Sequence, residues 1–196
     1  MLPSLVKMEK EIVFSTFRPF CAALATKPSK EILEKLSELV SKSDPRQLEM
    51  LQEYIIFPCQ LYLKTPVMQE NFTIQVLRFV EEFFSHQVEL NSTFVMTDLL
   101  QSILQLSNEE KSSKSDLSED LKIGICDCLS QLFQSSNGEV KATLYSEEQK
   151  LLMSHLVFQV LEWSQSDVRQ VNMSCLNLID SLCIDRQGLT YNIFLL

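Results

Sequence analysis

The chain contains a single pair of cysteines close enough in sequence to suggest a metal site. Cys126 and Cys128 flank Asp127, and zinc is commonly held by four ligands that include cysteine pairs. Two residues apart on a helix, however, the two thiols point to different faces. No second pair follows at a suitable spacing. The sequence therefore predicts no metal site here.

Cysteine and histidine could also combine as a nucleophile and its base. The chain has two histidines, His86 and His155, and Cys59 is the thiol that an enzyme hypothesis would test first. No motif around any cysteine resembles that of a thiol enzyme. His86 ends a helical segment, where a cation interacts favourably with the helix dipole. We therefore predict that both histidines serve packing and that the chain has no catalytic residue.

Adjacent glutamates are a third candidate, because paired carboxylates can perform acid–base chemistry. The pairs are Glu81–Glu82, Glu109–Glu110 and Glu147–Glu148. Each is expected at a helix edge or in a polar loop, where carboxylates are usually solvated. The segment 107–120, SNEEKSSKSDLSED, is serine-rich and polar, which is typical of a loop or of the frayed ends of two helices. Ser107 stands three residues before Glu110, a spacing that acidophilic kinases accept, so phosphorylation is the alternative to a plain linker.

Composition excludes several classes of function. The 196 residues are 45% apolar and 22% charged, which is ordinary for a soluble protein with a core. Three glycines are too few for the glycine-rich loops of nucleotide-binding folds. A net charge of −9 argues against a nucleic-acid partner. Charges near the start break any signal peptide, and no run reaches the roughly 20 apolar residues of a membrane span. We expect a cytoplasmic protein, with the nucleus as a second location, and no membrane partner.

The six cysteines are scattered through apolar helical patterns. Such spacing is typical of free buried thiols in a reducing compartment and not of a disulfide framework. The sequence implies no cofactor.

Helical periodicity runs through nearly the whole chain and predicts eight helices without a strand. Their approximate spans are 9–26, 29–40, 45–63, 72–84, 92–106, 121–133, 146–164 and 167–182. Ser29 and Asp44 are placed as N-terminal caps, with Pro45 at the first helical position. The later helices recur about every 40 to 50 residues, as in HEAT repeats. We predict an all-α, HEAT-like α-solenoid of stacked antiparallel helix pairs, with a closed bundle as the alternative.

The predicted organisation has two parts. Residues 1–186 form one HEAT-like repeat domain, the N-terminal part of a longer architecture, with a polar loop at 107–120. Residues 187–196 form an apolar tail. The tail either covers the last helix pair or leaves apolar surface open, and an open patch favours association.

A proline inside the apolar run LQEYIIFPCQLYLK, residues 51–64, needs a separate explanation. Pro58 removes a backbone hydrogen bond in the middle of a helix, at a cost of roughly 3 kcal/mol unless the helix bends. Pro19 has the same position in the first helix. We interpret both as kinks that keep an apolar stripe in contact with neighbouring helices.

Three segments resemble a known family. They are FSTFRPFCAALAT at 14–26, LQEYIIFPCQLYLKTP at 51–66 and SEDLKIGICDCLSQLF at 118–133. Together they look like the N-terminal region of the Tel-two-interacting protein one family, the large HEAT-repeat subunits of the Triple-T complex. DVRQVNMSCLNLI, at 167–179, resembles the second helix of a HEAT repeat, although Asn172 stands where alanine is preferred. The resemblance covers roughly residues 14–184, and the last dozen residues fit it poorly.

The resemblance implies a non-enzymatic scaffold. Its partners would be the other two Triple-T subunits, the phosphatidylinositol-3-kinase-related kinases of the TOR, ATM and ATR classes, and the heat-shock-ninety chaperone machinery. The complex would act as a co-chaperone that supports the maturation and stability of those kinases. An enzyme, or another helical-repeat adaptor with an unrecognised site, remains the alternative.

Overall fold

A computed structural model describes residues 3–65, 69–109 and 117–183, with side chains over 11–65, 69–106 and 117–183. Within these residues the chain forms nine helices and no strand. They are α1 Pro3–Thr26, α2 Lys30–Lys42, α3 Pro45–Leu63, α4 Glu70–Ser85, α5 Thr93–Glu109, α6 Glu119–Ser135, α7 Gly138–Leu144, α8 Lys150–Trp163 and α9 Arg169–Cys183. The all-α prediction is confirmed. The predicted tail at 187–196 lies outside the described residues.

The helices stack as pairs in two layers. α1, α3 and α5 lie side by side in the first layer, and α2, α4, α6 and α9 do so in the second. The pairs α1/α2, α3/α4, α5/α6 and α8/α9 join the layers, while α7 and α8 continue the first layer beside α5. Each pair buries its apolar face against the next, as the predicted α-solenoid requires.

Side-chain caps fix where two of the helices begin, as predicted. The Ser29 hydroxyl accepts a hydrogen bond from the Ile32 amide at 3.4 Å. The Asp44 carboxylate accepts one from the Arg46 amide at 2.9 Å, and Pro45 is the first residue of α3. Both caps satisfy amides that have no partner inside the helix.

Two sequence predictions need correction. The Asn137–Gly138 pair is a turn signal that predicts the end of the sixth helix. α6 does end just before it, at Ser135, but Asn137 also caps a further short helix, α7, by accepting a hydrogen bond from the Val140 amide at 2.9 Å. The predicted loop at 107–120 is shorter than expected, because α5 runs to Glu109 and Ser118 caps α6. A polar composition does not prevent a helix from continuing for another turn. Residues 110–116 of that loop lie outside the described residues.

The second layer is centred on α6, which packs against α4 on one side and α9 on the other. Its apolar residues are almost all buried. In α4, Phe83 and Phe84 are also buried, and their rings meet edge to face with centroids 5.0 Å apart. Pro58 is buried within α3, which continues through it to Leu63. The bend at Pro58 stays a prediction.

A glycine in the middle of α6 gives a direct test of this packing. A Cβ added at Gly124 would lie 3.7 Å from Leu77 Cδ1, an ordinary contact. Since alanine also restricts the unfolded chain, we expect Gly124→Ala to raise the free energy of unfolding by about 0.5–1 kcal/mol. Urea denaturation measures this change. Gly138→Ala, at the open start of α7, is the matched control and should give a smaller gain in unfolding free energy. A urea midpoint for Gly124→Ala below that of the wild type would contradict this contact between α4 and α6.

Candidate interaction surface

The two cysteines of α6 point to different sides of the helix and contact different neighbours, as their spacing predicts. Cys126 is fully buried, and its Sγ lies 3.8 Å from Cys175 Sγ on α9. The hydrogen bond between these thiols, followed by burial, raises the pKa of Cys126 well above its usual range. Burial also raises the pKa of Cys128, with Glu81 and Cys59 contributing. Thiols held protonated in this way are poor nucleophiles and poor metal ligands.

The residues of the enzyme hypothesis are not brought together. Cys59 is fully buried in α3, and burial raises the pKa of its thiol. His155 is exposed on α8, so the prediction that it serves packing is wrong. Every cysteine in the described residues is free, and these residues include no group of three or more side chains suited to hold a metal ion.

His86 and two of the glutamate pairs lie within the described side chains. His86 is the C-terminal cap of α4, as expected, with Nε2 3.9 Å from Glu82 Oε1. Glu147 and Glu148 are exposed before α8, and Glu147 pairs with Lys150 at 3.7 Å. The side chains of Glu109 and Glu110 lie outside the described residues.

Glu81 differs from the solvated carboxylate that the sequence predicts. It is half-buried on α4, and burial raises the pKa of its carboxyl. The nearby Asp127 of α6 raises that pKa further, while Arg78 opposes the shift. A periodicity argument cannot detect this arrangement, because the two acids come from helices about 45 residues apart in sequence.

The raised pKa of Glu81 predicts the direction in which stability changes with pH. The folded state holds the proton more tightly than the unfolded state, so stability falls as the pH rises above the unfolded carboxyl's pKa of about 4.3. We expect Glu81→Gln to stabilise the chain at neutral pH and to have little effect near pH ~3, below that pKa. Urea midpoints at the two pH values measure the difference. Glu82→Gln is the neighbouring control, and an equal gain from Glu81→Gln at both pH values would rule out this explanation.

A cavity of about 400 Å³ opens beside the N-terminal half of α3. The Phe14 ring of α1 and the Tyr54 ring of α3 form one wall, with centroids 4.6 Å apart. Met50 adds a further apolar side chain, and the carboxylates of Glu49 and Glu53 line the same cavity. We call this site the α3 cavity.

A hydrogen-bonded frame holds the polar edge of the α3 cavity. Gln52 is 2% exposed and exchanges two hydrogen bonds with Asn91, donating from Nε2 to Oδ1 at 2.6 Å and accepting from the Asn91 amide at 3.3 Å. Glu49 accepts from the Glu89 amide at 3.1 Å, and Glu53 accepts from Ser92 Oγ at 2.7 Å. The loop between α4 and α5 is thereby tied to α3. Sequence reasoning did not identify Gln52 as important. Its position, a polar glutamine inside an apolar run, could have indicated it.

Outward-facing residues of α3 continue from the cavity along the helix. Their spacing of three and four residues places them on one face. This stripe, here called the α3 ridge, consists of Met50, Glu53, Phe57, Leu61 and Lys64. Phe57 is 52% exposed and Leu61 44%. At the far end Lys64 pairs with Asp98 of α5, one turn after the exposed Phe94.

Apolar side chains are also exposed on the last two helices. α8 presents Leu151, Phe158 and Leu161 to solvent, and α9 presents Met173 and Leu176. Because α8 also buries Met153, Leu156 and Val160, it is apolar on both sides. A helix of that kind is normally covered on both sides in its functional state.

Comparison with known families decides the evolutionary relationship. Residues 14–192 match the model of the TTI1 N-terminal TPR domain. The chain belongs to this family. TPR and HEAT units are both stacked helix pairs, so the fold named by the family model is consistent with the solenoid described above. The match includes residues 185–192, part of the segment that was expected to fit the family poorly.

Individual relatives agree with the TTI1 family. The TELO2-interacting protein 1 homolog of Homo sapiens is 27% identical over 136 residues, which cover 69% of this chain and 12% of the relative. The homolog of Mus musculus is 26% identical over 136 residues, with the same coverage. The chain thus spans a small fraction of these relatives' length. No solved structure matches it, and none of the described helices is long and apolar enough to cross a membrane.

Proposed function

We propose that this chain is a non-enzymatic scaffold, acting as the N-terminal helical-repeat part of a Triple-T-type co-chaperone. The match of residues 14–192 to the TTI1 N-terminal domain carries the proposal. The name of the relatives, which are TELO2-interacting proteins, supports TELO2 as the first partner to test.

The surface of the solenoid is consistent with a scaffold. Stacked helix pairs present a long outer face, and repeat proteins commonly use such faces for binding. Here that face carries exposed aromatic side chains, including Phe57, Phe94 and Phe158. Exposed apolar groups that lie close together mark interaction sites in soluble proteins.

The finer assignment follows from the family resemblance. With its two Triple-T partners and the heat-shock-ninety machinery, the scaffold would support the maturation and stability of kinases of the TOR, ATM and ATR classes. We propose the cytoplasm, and also the nucleus, as its location. The division into a repeat domain at 1–186 and a tail at 187–196 belongs to the same proposal.

Co-elution with purified TELO2 tests the scaffold function. We expect the full chain and TELO2 to elute together from a size-exclusion column, at a mass above that of either protein alone. Affinity purification of the chain from cells should recover the other two Triple-T subunits. Separate elution, together with no recovery of those subunits, would refute the proposal and leave another helical-repeat adaptor as the better description.

The enzyme alternative has less support. Its two first candidates are separated, with Cys59 protonated in the core and His155 at the surface of α8. The exposed aromatic residues have no role in that hypothesis, whereas a scaffold uses them directly.

A further inference from the structure

The α3 cavity and the α3 ridge form one continuous surface. Met50 and Glu53 belong to both, so exposed side chains continue without a break from the cavity to Phe57 and Leu61. From Met50 to Lys64 the ridge advances fourteen residues, or about 21 Å along the helix axis. That length corresponds to about four turns of a partner helix.

Both ends of this surface are held in place by contacts with α5 or with the loop before it. Glu53 is bonded to Ser92 at the cavity end, and Lys64 pairs with Asp98 at the other end. α3 and α5 therefore run in the same direction, and Phe94 stands between these two connections. A surface fixed in this way loses little conformational entropy when a partner binds.

The charges of this surface specify the partner's chemistry. Glu49 and Glu53 place two carboxylates at the cavity, in a chain whose net charge is −9. Lys64 is already paired with Asp98. Burial raises the pKa of Tyr54 and Arg18 of α1 opposes that rise, but the charged residues that line the cavity are Glu49 and Glu53, both on α3. A basic group is therefore complementary to the α3 side of the cavity.

We propose that this surface binds an amphipathic helix of a partner protein. One apolar side chain of that helix enters the α3 cavity, and its other apolar residues, spaced three and four apart, lie on Phe57, Leu61 and Phe94. A Lys or Arg beside the inserted side chain pairs with Glu49 and Glu53. This inference rests on the proposed scaffold function and names the class of partner that the scaffold recognises.

A second copy of the chain fits this surface less well. Its most exposed apolar helix is α8, which carries Glu162 on its outer face and follows Glu148, while Glu147 is paired with Lys150. Those carboxylates would meet Glu49 and Glu53, and like charges in contact oppose binding. A basic helix from a different protein avoids this repulsion.

Fluorescence anisotropy with two designed peptides tests the proposal. The first is an eighteen-residue amphipathic helix with a Leu/Trp stripe flanked by Lys, and the second has Glu at each Lys position. We expect the 196-residue chain to bind the basic peptide at least about tenfold more tightly than the acidic one. The preference should weaken as salt is added.

Variants of the chain separate the apolar part from the charged part. Phe57→Ala with Leu61→Ala should weaken binding of the basic peptide about tenfold. Glu49→Gln with Glu53→Gln keeps an acceptor oxygen for the Glu89 amide and for Ser92 while removing both charges, so the preference for Lys should disappear. Leu151→Ala with Phe158→Ala on α8 is the matched exposed control and should leave binding unchanged. Circular dichroism checks that each variant is folded.

Several results would overturn the proposal. These are absence of binding, equal binding of the two peptides, and loss of binding only in the α8 control. If the wild-type chain self-associates and the double variant Phe57→Ala with Leu61→Ala does not, the surface binds a second copy of the chain instead. If TELO2 co-elutes but the peptides do not bind, the scaffold function stands and this surface is wrong. If the peptides bind but TELO2 does not co-elute, this surface stands and only TELO2 is rejected as a partner.

Discussion

Phe83→Ala is expected to lower the free energy of unfolding by about 3–5 kcal/mol, the range found when a buried phenylalanine is truncated. Phe83 is completely buried in α4, and its ring meets Phe84 edge to face. Alanine removes both the buried apolar area and the aromatic contact, and the surrounding helices relax only in part. Since domains of this size are stable by about 5–15 kcal/mol, a large part of the fold's stability would be lost.

Urea denaturation followed by circular dichroism measures that loss. Phe158→Ala on α8 is the matched control, because the same truncation there removes a side chain that is 70% exposed. Its effect should remain within about 0.5 kcal/mol. Similar midpoints for the two variants would mean that α4 is not in the core, and the two-layer arrangement would then be wrong.

Local signals made most of the fold predictable from the sequence. Asp44 followed by Pro45 specifies a helix start through the chemistry of the cap and the fixed backbone of proline, and α3 begins there. Ser29 acts in the same way for α2. The repeated apolar spacing then requires each helix to pack against others, which indicates stacked pairs. α7 was missed because its seven residues are too few to show a period.

The surface was less predictable, for a physical reason. Periodicity finds an apolar face only when the opposite face is polar, and α8 is apolar on both sides. His155 was therefore predicted to serve packing, whereas its side chain is exposed. The α3 cavity depends on contacts between α3 and the loop before α5, such as Gln52 with Asn91. Those partners are 39 residues apart, and no local pattern records their pairing.

Self-association is the second large effect that we expect. The wild-type chain should elute from a size-exclusion column above its monomer mass at tens of micromolar, because α8 and α9 leave Leu151, Phe158, Leu161, Met173 and Leu176 exposed. Phe158→Lys with Leu176→Lys should shift the chain to a monomer, since each lysine replaces an apolar side chain on one of these helices. Light scattering on the eluting peak gives the mass directly.

Two further variants decide which surface is responsible for association. Removing residues 187–196 should not by itself produce a monomer, because the exposed residues of α8 and α9 remain. Phe57→Lys, which adds the same charge on the α3 ridge, should leave the association intact and so separates this face from the proposed partner site. A wild-type chain that is already monomeric at tens of micromolar would show that the apolar side of α8 and α9 is covered within the chain itself. In that case the lysine variant, by disturbing the covered face, should lower the unfolding midpoint instead of changing the mass.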